Sequence, residues 1–264
     1  MFSCSDDITP VEYSQTKLIA HRGAGSNYSG FSDLEENTLL ACLRGLSTTD
    51  GIEIDIQRSN DHEIFLFHDI NVPPCDEFDI VSIAASTKPK IEEYFDCAAP
   101  ETGISTLKEV LINHEVDFHN KDIFLDVKAI FNLSTTLKMP TPQHYLNLMS
   151  QDIFDHISNY SDQNTLHIET ENAVMLNAFK KHYPDVNTWL VSFGDIEKAI
   201  QRASKESYTG ISIKDGDYIT ESMVQKAHNQ GLKLCVWVVN ERNRFLELEA
   251  MEVDFIQSDD IYLN

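Results

Sequence analysis

Positive charge is what this sequence has least of. Its 264 residues carry 20 Lys and Arg against 43 Asp and Glu, a formal net charge of -23. A surface that negative disfavours nucleic acid and anionic membranes. It also repels a phosphate-bearing ligand at long range, so any phosphate site must bring its own local cations. Long apolar runs are missing too. No stretch approaches the ~18 residues of a membrane span, and the most apolar one, residues 232–239, has the length of a strand. Residues 1–10 show neither a basic n-region nor an apolar h-region, so no signal peptide is expected and the chain is expected in the cytoplasm. Cysteine is sparse and scattered. Cys4, Cys42, Cys75, Cys97 and Cys235 form no C-x-x-C pair, and their odd number argues against a disulfide framework or a zinc knuckle. Reduced thiols are the expectation. Neither an internal repeat nor a Pro/Gly linker divides the chain. With 42% hydrophobic residues it has enough apolar material for one barrel-sized core.

What is present is alternation. Short apolar runs at 17–21, 51–57, 122–128, 165–169, 188–192, 210–213, 233–239 and 254–257 read as eight strands, with amphipathic helical patterns between them. Thr106-Leu107-Lys108-Glu109 reads as a capping box. Asn240 reads as the N-cap of a helix bearing Phe245, Leu246 and Leu248, and Gly231 as the stop of the helix that starts from Thr220. Such alternation implies parallel strands joined by right-handed crossovers. Eight units close a (β/α)8 TIM barrel, expected as a single domain over residues 1–264 without a final helix. One element breaks the pattern. Only residues 58–62 separate the second strand from another apolar run at 63–67, too few for a parallel crossover, so that run is expected to return as a hairpin. Residues 70–103, with Pro73-Pro74, Pro89 and Pro100, then form a long connection that reads as a small insertion over the barrel mouth. Phe78, Ile80, Val81 and Ile83 would give it either an exposed apolar rim or a small core of its own.

The second strand carries the clearest chemistry. In Ile52-Glu53-Ile54-Asp55-Ile56 the isoleucines share one face and the carboxylates the other. A barrel strand packs its isoleucine face on the outer helices, which turns Glu53 and Asp55 inward. Two buried carboxylates side by side repel each other, and either a hard divalent cation or buried basic partners must relieve them. The third strand repeats the pattern, with Asp126 inward as a further oxygen donor and Lys128 nearer the mouth as a phosphate contact. Asp126 and Lys128 paired as a plain salt bridge is the competing reading. His21 and Arg22 end the first strand, where barrel enzymes keep their active sites. An arginine fork suits a phosphate. The hairpin brings in His68, and two histidines across a phosphodiester can serve as general base and general acid. His62, His114, His119, His144, His156, His167, His182 and His228 show no comparable pairing.

The ordered set His21-Arg22-Gly23, Glu36-Asn37-Thr38, Glu53-Ile54-Asp55 and His68-Asp69 resembles the signature of glycerophosphodiester phosphodiesterases. The resemblance continues through Asp126-Val127-Lys128, Trp237-Val238-Val239-Asn240 and residues 254–259. It implies Ca2+- or Mg2+-dependent cleavage of small-molecule glycerophosphodiesters to glycerol phosphate and an alcohol. By motif match, His21 and His68 form the acid/base pair, and Glu53, Asp55 and Asp126 hold the metal. Arg22 and Lys128 bind phosphate, Glu36 orients the Arg22 side, and Trp237 lines the pocket. The long spacer from Gly23 to Glu36 is similar to that of the glycerophosphocholine-cleaving branch. Three departures stand out. Asp126 replaces a common glutamate, Ser258 a common threonine, and His167-Ile168-Glu169 stands where many members carry Ser-Phe. Choline preference would call for an aromatic cage, for which Trp237, Tyr28 and Phe31 are candidates. Other readings stay open: a phospholipase D-like phosphodiesterase acting on lysophospholipid or sphingomyelin, a non-catalytic barrel that binds a phosphoryl ligand, and a different metal hydrolase on the same fold.

Overall fold

The structure is a computed structural model that describes residues 16–72, 81–98, 102–112, 120–128, 142–158 and 166–264. Among these residues the strands are β1 (Lys17–Ala20), β2 (Gly51–Arg58), β3 (Ile64–Leu66), β4 (Asp122–Val127), β5 (Leu166–Thr170), β6 (Asn187–Ser192), β7 (Gly210–Lys214), β8 (Lys233–Trp237) and β9 (Phe255–Ser258). The helices are α1 (Leu39–Thr48), α2 (Lys88–Ala98), α3 (Leu107–Ile112), α4 (Pro142–Ile157), α5 (Ala173–His182), α6 (Ile196–Glu206), α7 (Glu221–His228) and α8 (Arg242–Ala250). All strands but β3 are parallel, in the order β1-β9-β8-β7-β6-β5-β4-β2, and a β1–β2 pairing closes the ring. The protein is therefore a TIM barrel, with helices between its strands.

The period-two pattern divides the apolar residues as the sequence implies. Ile52, Ile54 and Ile56 of β2, Ile123 and Leu125 of β4 and Ile211 and Ile213 of β7 pack outward with the helices into one large core. Inside the ring a smaller cluster of Ile19, Phe124, Trp189, Cys235 and Phe255 fills the floor. His167 belongs to that floor. Its ring stacks on Phe124 at 4.2 Å, accepts from Trp189 Nε1 at Nδ1 and meets Asp122 Oδ1 at Nε2, 2.8 Å away. Burial lowers its pKa against the pull of Asp122, so His167 is a structural side chain.

The expected hairpin is present. β1 pairs with only Gly51 and Ile52 of β2, which leaves the far end of that edge open. β3 takes it up antiparallel, with Leu66 opposite Ile56 and Ile64 opposite Arg58. Covering an open edge in this way also prevents edge-to-edge association. The chain beyond β3 forms a second core from Phe65, Val72, Val81, Ile83, Ile91, Tyr94 and Phe95. Val81 and Ile83 thus pack internally; Phe78 and Ile80 lie outside the described residues, as do residues 73–80 and 99–101 of the expected insertion.

The capping box forms reciprocally: Thr106 N donates to Glu109 Oε2 at 2.8 Å, and Glu109 N to Thr106 Oγ1 at 3.3 Å. Gly231 ends the α7 segment at φ +74, just past a C-cap at Asn229. Two expectations are corrected. Asn240 caps no helix; α8 starts after Glu241, and the Asn240 side chain bonds to Asp259 instead. Cys97 is disulfide-bonded, while Cys42 and Cys235 are free and buried. This bond departs from the expectation that the cysteines are reduced thiols. No helix among the described residues is long and apolar enough to cross a membrane.

Candidate active site

The strand ends at the barrel mouth converge on one cavity. Its lining includes His21, Arg22, Glu53, Asp55, His68, Asp126, Lys128, Glu169, Phe193, Trp237 and Gln257. Three of the sequence motifs meet here through backbone turns. Arg22 and Gly23 take left-handed conformations (φ 52 and φ 88). This turn lets Arg22 N donate to Glu53 Oε2 at 2.9 Å and Gly23 N to Glu53 O at 2.9 Å. A Cβ on Gly23 would stand 3.0 Å from the α1 backbone at Ala41 and Cys42, so only glycine allows that approach.

Glu36, Asn37 and Thr38 each have one task. Glu36 Oε1 accepts from Arg22 Nη1 at 2.6 Å. The Asn37 amide clamps Asp55 twice, donating to Oδ2 at 2.8 Å and accepting from its backbone N–H at 2.9 Å. Thr38 Oγ1 caps α1 by accepting from Ala41 N at 3.2 Å.

The carboxylates fall into two groups. Asp55 is fully engaged: Lys128 Nζ lies 2.9 Å from Oδ1 and Arg22 Nε 3.5 Å from Oδ2. Burial would raise its pKa, but Lys128 and Arg22 outweigh it and hold the carboxyl at about 2. Glu53 differs. Its nearest basic atom is His21 Nε2 at 3.8 Å. Burial, then repulsion from Asp55 and Glu169, pushes its pKa well up. Asp126 accepts from Lys128 Nζ at 2.5 Å, yet burial and Asp55 still raise it. Lys128 itself stays protonated, because Asp126 and Asp55 overcome its desolvation.

Sequence reasoning passed over Glu169. β5 turns it inward beside Asp126, its register partner. Burial and Asp126 push its pKa to about 8, with Ser212 and Gln257 pulling the other way. Its signal was the inward alternation of His167 and Glu169, which no motif flagged. One oxygen each from Glu53, Asp126 and Glu169 lie within 4.8 Å of one another. Oxygen donors held that close suit a hard divalent cation.

Both histidines present themselves alike. His21 Nδ1 lies 2.8 Å from Asp259 Oδ1, and His68 Nδ1 2.8 Å from Asp69 Oδ1. Asp259 is in turn fixed by Ser26 N–H at 2.8 Å and Asn240 Nδ2 at 2.9 Å. Burial opposes ionisation of Asp259, but the hydrogen bond and charge of His21 hold its pKa down. With Nδ1 held by a carboxylate, Nε2 is the ring atom left for proton transfer. Trp237 packs edge-on against Phe193 at 5.4 Å on one wall. The three cage candidates do not come together. Tyr28 lines a second cavity with Glu35, Phe67 and Phe95, and Phe31 lines neither.

Residues 21–263 match the glycerophosphoryl diester phosphodiesterase family. YhdW of Bacillus subtilis (strain 168), which bears a glycerophosphodiester phosphodiesterase name, is 24% identical over 251 residues, 92% of this chain and 93% of its own. An Oleispira antarctica phosphodiesterase solved with the product sn-glycerol-3-phosphate has a TM-score of 0.74 at 18% identity, over 94% of each chain. Thermotoga maritima glycerophosphodiester phosphodiesterase has a TM-score of 0.67 at 20% identity, over 94% of this chain and 96% of its own. At such identities the two structures establish the shared barrel.

Proposed function

The chain belongs to the glycerophosphoryl diester phosphodiesterase family, and from that premise we propose how it hydrolyses glycerophosphodiesters. His21 and His68 are the acid/base pair. Glu53, Asp55 and Asp126 would hold one divalent cation, Ca2+ or Mg2+, with Asp55 shared between it and Lys128 and Arg22. Arg22 and Lys128 take the phosphate, Glu36 braces Arg22, and Trp237 forms the wall beside the substrate. The observation that carries this reading is the pair of carboxylate-held histidines opening onto one cavity with both cations.

When bound, the cation withdraws charge from a phosphate oxygen. Arg22 and Lys128 are already fixed around Asp55, so they offer positive charge without reorganising. Arg22 Nε is a buried donor that meets Asp55 only as a 3.5 Å ion pair and makes no hydrogen bond, a donor a phosphate oxygen could take up. One histidine removes the proton from the attacking hydroxyl as its oxygen bonds to phosphorus. The other protonates the alcohol oxygen as its bond to phosphorus breaks. The attacking hydroxyl belongs to water or to the neighbouring glycerol carbon; accumulation of a cyclic glycerol phosphate distinguishes the second.

The test is turnover of glycerophosphocholine, glycerophosphoethanolamine and glycerophosphoglycerol with Ca2+, Mg2+ or chelator, in the native protein and in His21→Ala. Metal-dependent release of glycerol phosphate, lost in the variant, supports the site. A folded protein inactive on all three with either metal refutes it.

A second reading draws on a separate observation. Tyr28 (86% exposed), Phe31 and Phe193 (62% exposed) stand on loops that follow barrel strands β1 and β6. Such a rim suits the tail of a single-chain amphiphile such as lysophospholipid, while the acidic surface disfavours an anionic bilayer. Mixed micelles of lysophosphatidylcholine, compared with soluble glycerophosphocholine, separate the two substrates.

A further inference from the structure

Glu169 has no task in the reading above, yet its surroundings are unusual for a carboxylate. The residue is 2% exposed and lines the cavity with Glu53 and Asp126. Gln257 Nε2 donates to Oε1 at 2.8 Å, which sets the orientation of the head group. Oε2 is buried and makes no hydrogen bond of full geometry, with the Ser212 hydroxyl, itself unpaired, its nearby polar neighbour. No lysine, arginine or histidine among the described residues forms an ion pair with it, whereas both oxygens of Asp55 are engaged by Lys128, Asn37 and Arg22. A buried carboxyl with an oxygen that meets no donor either keeps its proton or is met by a cation.

The geometry of the neighbouring acids says what that is. Glu53, Asp126 and Glu169 each place an oxygen within 4.8 Å of the other two. Oxygen ligands at 2.3–2.6 Å from Ca2+ lie at most about 5 Å apart across the ion, so one cation can touch all three. The strand register explains the arrangement. Asp126 and Glu169 are level with Asp55 across β2, β4 and β5, and Glu53 sits two residues earlier on β2. A cation there would be held by Glu53 from β2, Asp126 from β4 and Glu169 from β5.

We propose that Glu169 is a direct ligand of the divalent cation, the donor that β5 contributes. This rests on the metal-dependent reading above and adds a residue to it. Asp126 has a short side chain, and the longer reach of Glu169 from the adjoining strand closes the same side of the ion. Gln257 is its positioning residue.

The experiment is calorimetric titration of Ca2+ and Mg2+ into the chelator-stripped full chain, for native protein, Glu169→Gln, Glu169→Asp and Glu53→Gln. Melting temperatures are recorded for each with and without metal. Glu169→Gln should weaken metal binding by about 10- to 100-fold or more, the loss typical even of groups that merely support a ligand. Glu169→Asp keeps the charge but withdraws the oxygen, and should weaken it too. Without metal, Glu169→Gln should melt no lower than native, since a neutral isostere replaces a buried carboxyl that has no ion-pair partner among the described residues, while the rise on adding metal shrinks. A Glu169→Gln affinity within twofold of native, with Glu53→Gln losing binding, overturns the role of Glu169 and leaves the metal site standing. Native-like affinity in Glu169→Asp alone replaces ligation by a purely electrostatic effect and also overturns it. No saturable binding by the native protein removes the metal reading and this ligand together.

Discussion

The two histidines at the cavity have the same partner chemistry but unequal support. His21 leans on Asp259, a buried carboxylate that also receives Ser26 and Asn240. His68 leans on Asp69, whose side chain is 61% exposed. An exposed pair is screened and worth little, whereas a buried one fixes both tautomer and ring orientation. Asp259→Asn should therefore lower kcat by as much as the roughly 10²- to 10⁴-fold that a positioned acid–base group contributes, with KM little changed. Asp69→Asn should cost far less. Steady-state kinetics on both variants decides, and equal losses would show that Asp259 has no special hold on His21. The residues of this network were unevenly legible. His21, Arg22, Glu53, Asp55 and His68 announce themselves because each lies in a short ordered motif. Asn240 does not: an asparagine ahead of an amphipathic run looks like a cap, and only the fold shows its amide bound to Asp259, 19 residues on. Glu169 is hidden for the same reason, since its neighbours in space come from β4 and β9.

At the scale of elements, β2 holds the site and is itself anchored from outside. Its outward face runs Ile52, Ile54, Ile56 and then Arg58, a buried cation continuing an apolar stripe. Arg58 Nε donates to Asp152 of α4, Nη1 to Ser59 O and Nη2 to His62 Nδ1, with Tyr145 stacked 5.9 Å away. Removing one partner of a buried pair leaves the other uncompensated. Asp152→Ala should thus destabilise the fold by about 3–5 kcal/mol, and Arg58→Met combined with Asp152→Leu should recover most of that loss. Urea unfolding of the three proteins measures it; a single variant as stable as native would show that solvent already satisfies Arg58. The strands were readable because period-two alternation with outward isoleucine is a local signal. β3 was readable because five residues cannot make a crossover. The Cys97 bond was not, because no local spacing encodes it.

At the scale of the whole molecule, the acid cluster couples stability to pH. The Glu169 carboxyl, ordinarily near 4.5, is pushed to about 8 by burial and Asp126, and Glu53 and Asp126 are raised as well. Between those values the folded chain keeps protons that the unfolded chain has released, so stability falls as pH rises through the window. Chelator-treated protein should melt lower at pH 8 than at pH 6, and saturating Ca2+ or Mg2+ should flatten the difference by taking the place of the protons. Calorimetry at both pH values checks this; equal melting temperatures in chelator would contradict it. The apolar residues, meanwhile, divide into one large core around the barrel and a small one behind β3. His21 follows a strand of the first, and His68 follows Phe67, which packs on the second. Small packing units open at lower cost than large ones. Warming should therefore separate the two histidines while the barrel is still folded. The enzyme should fall silent below its melting transition and regain full turnover on cooling, a reversible heat switch that falls to the smaller core.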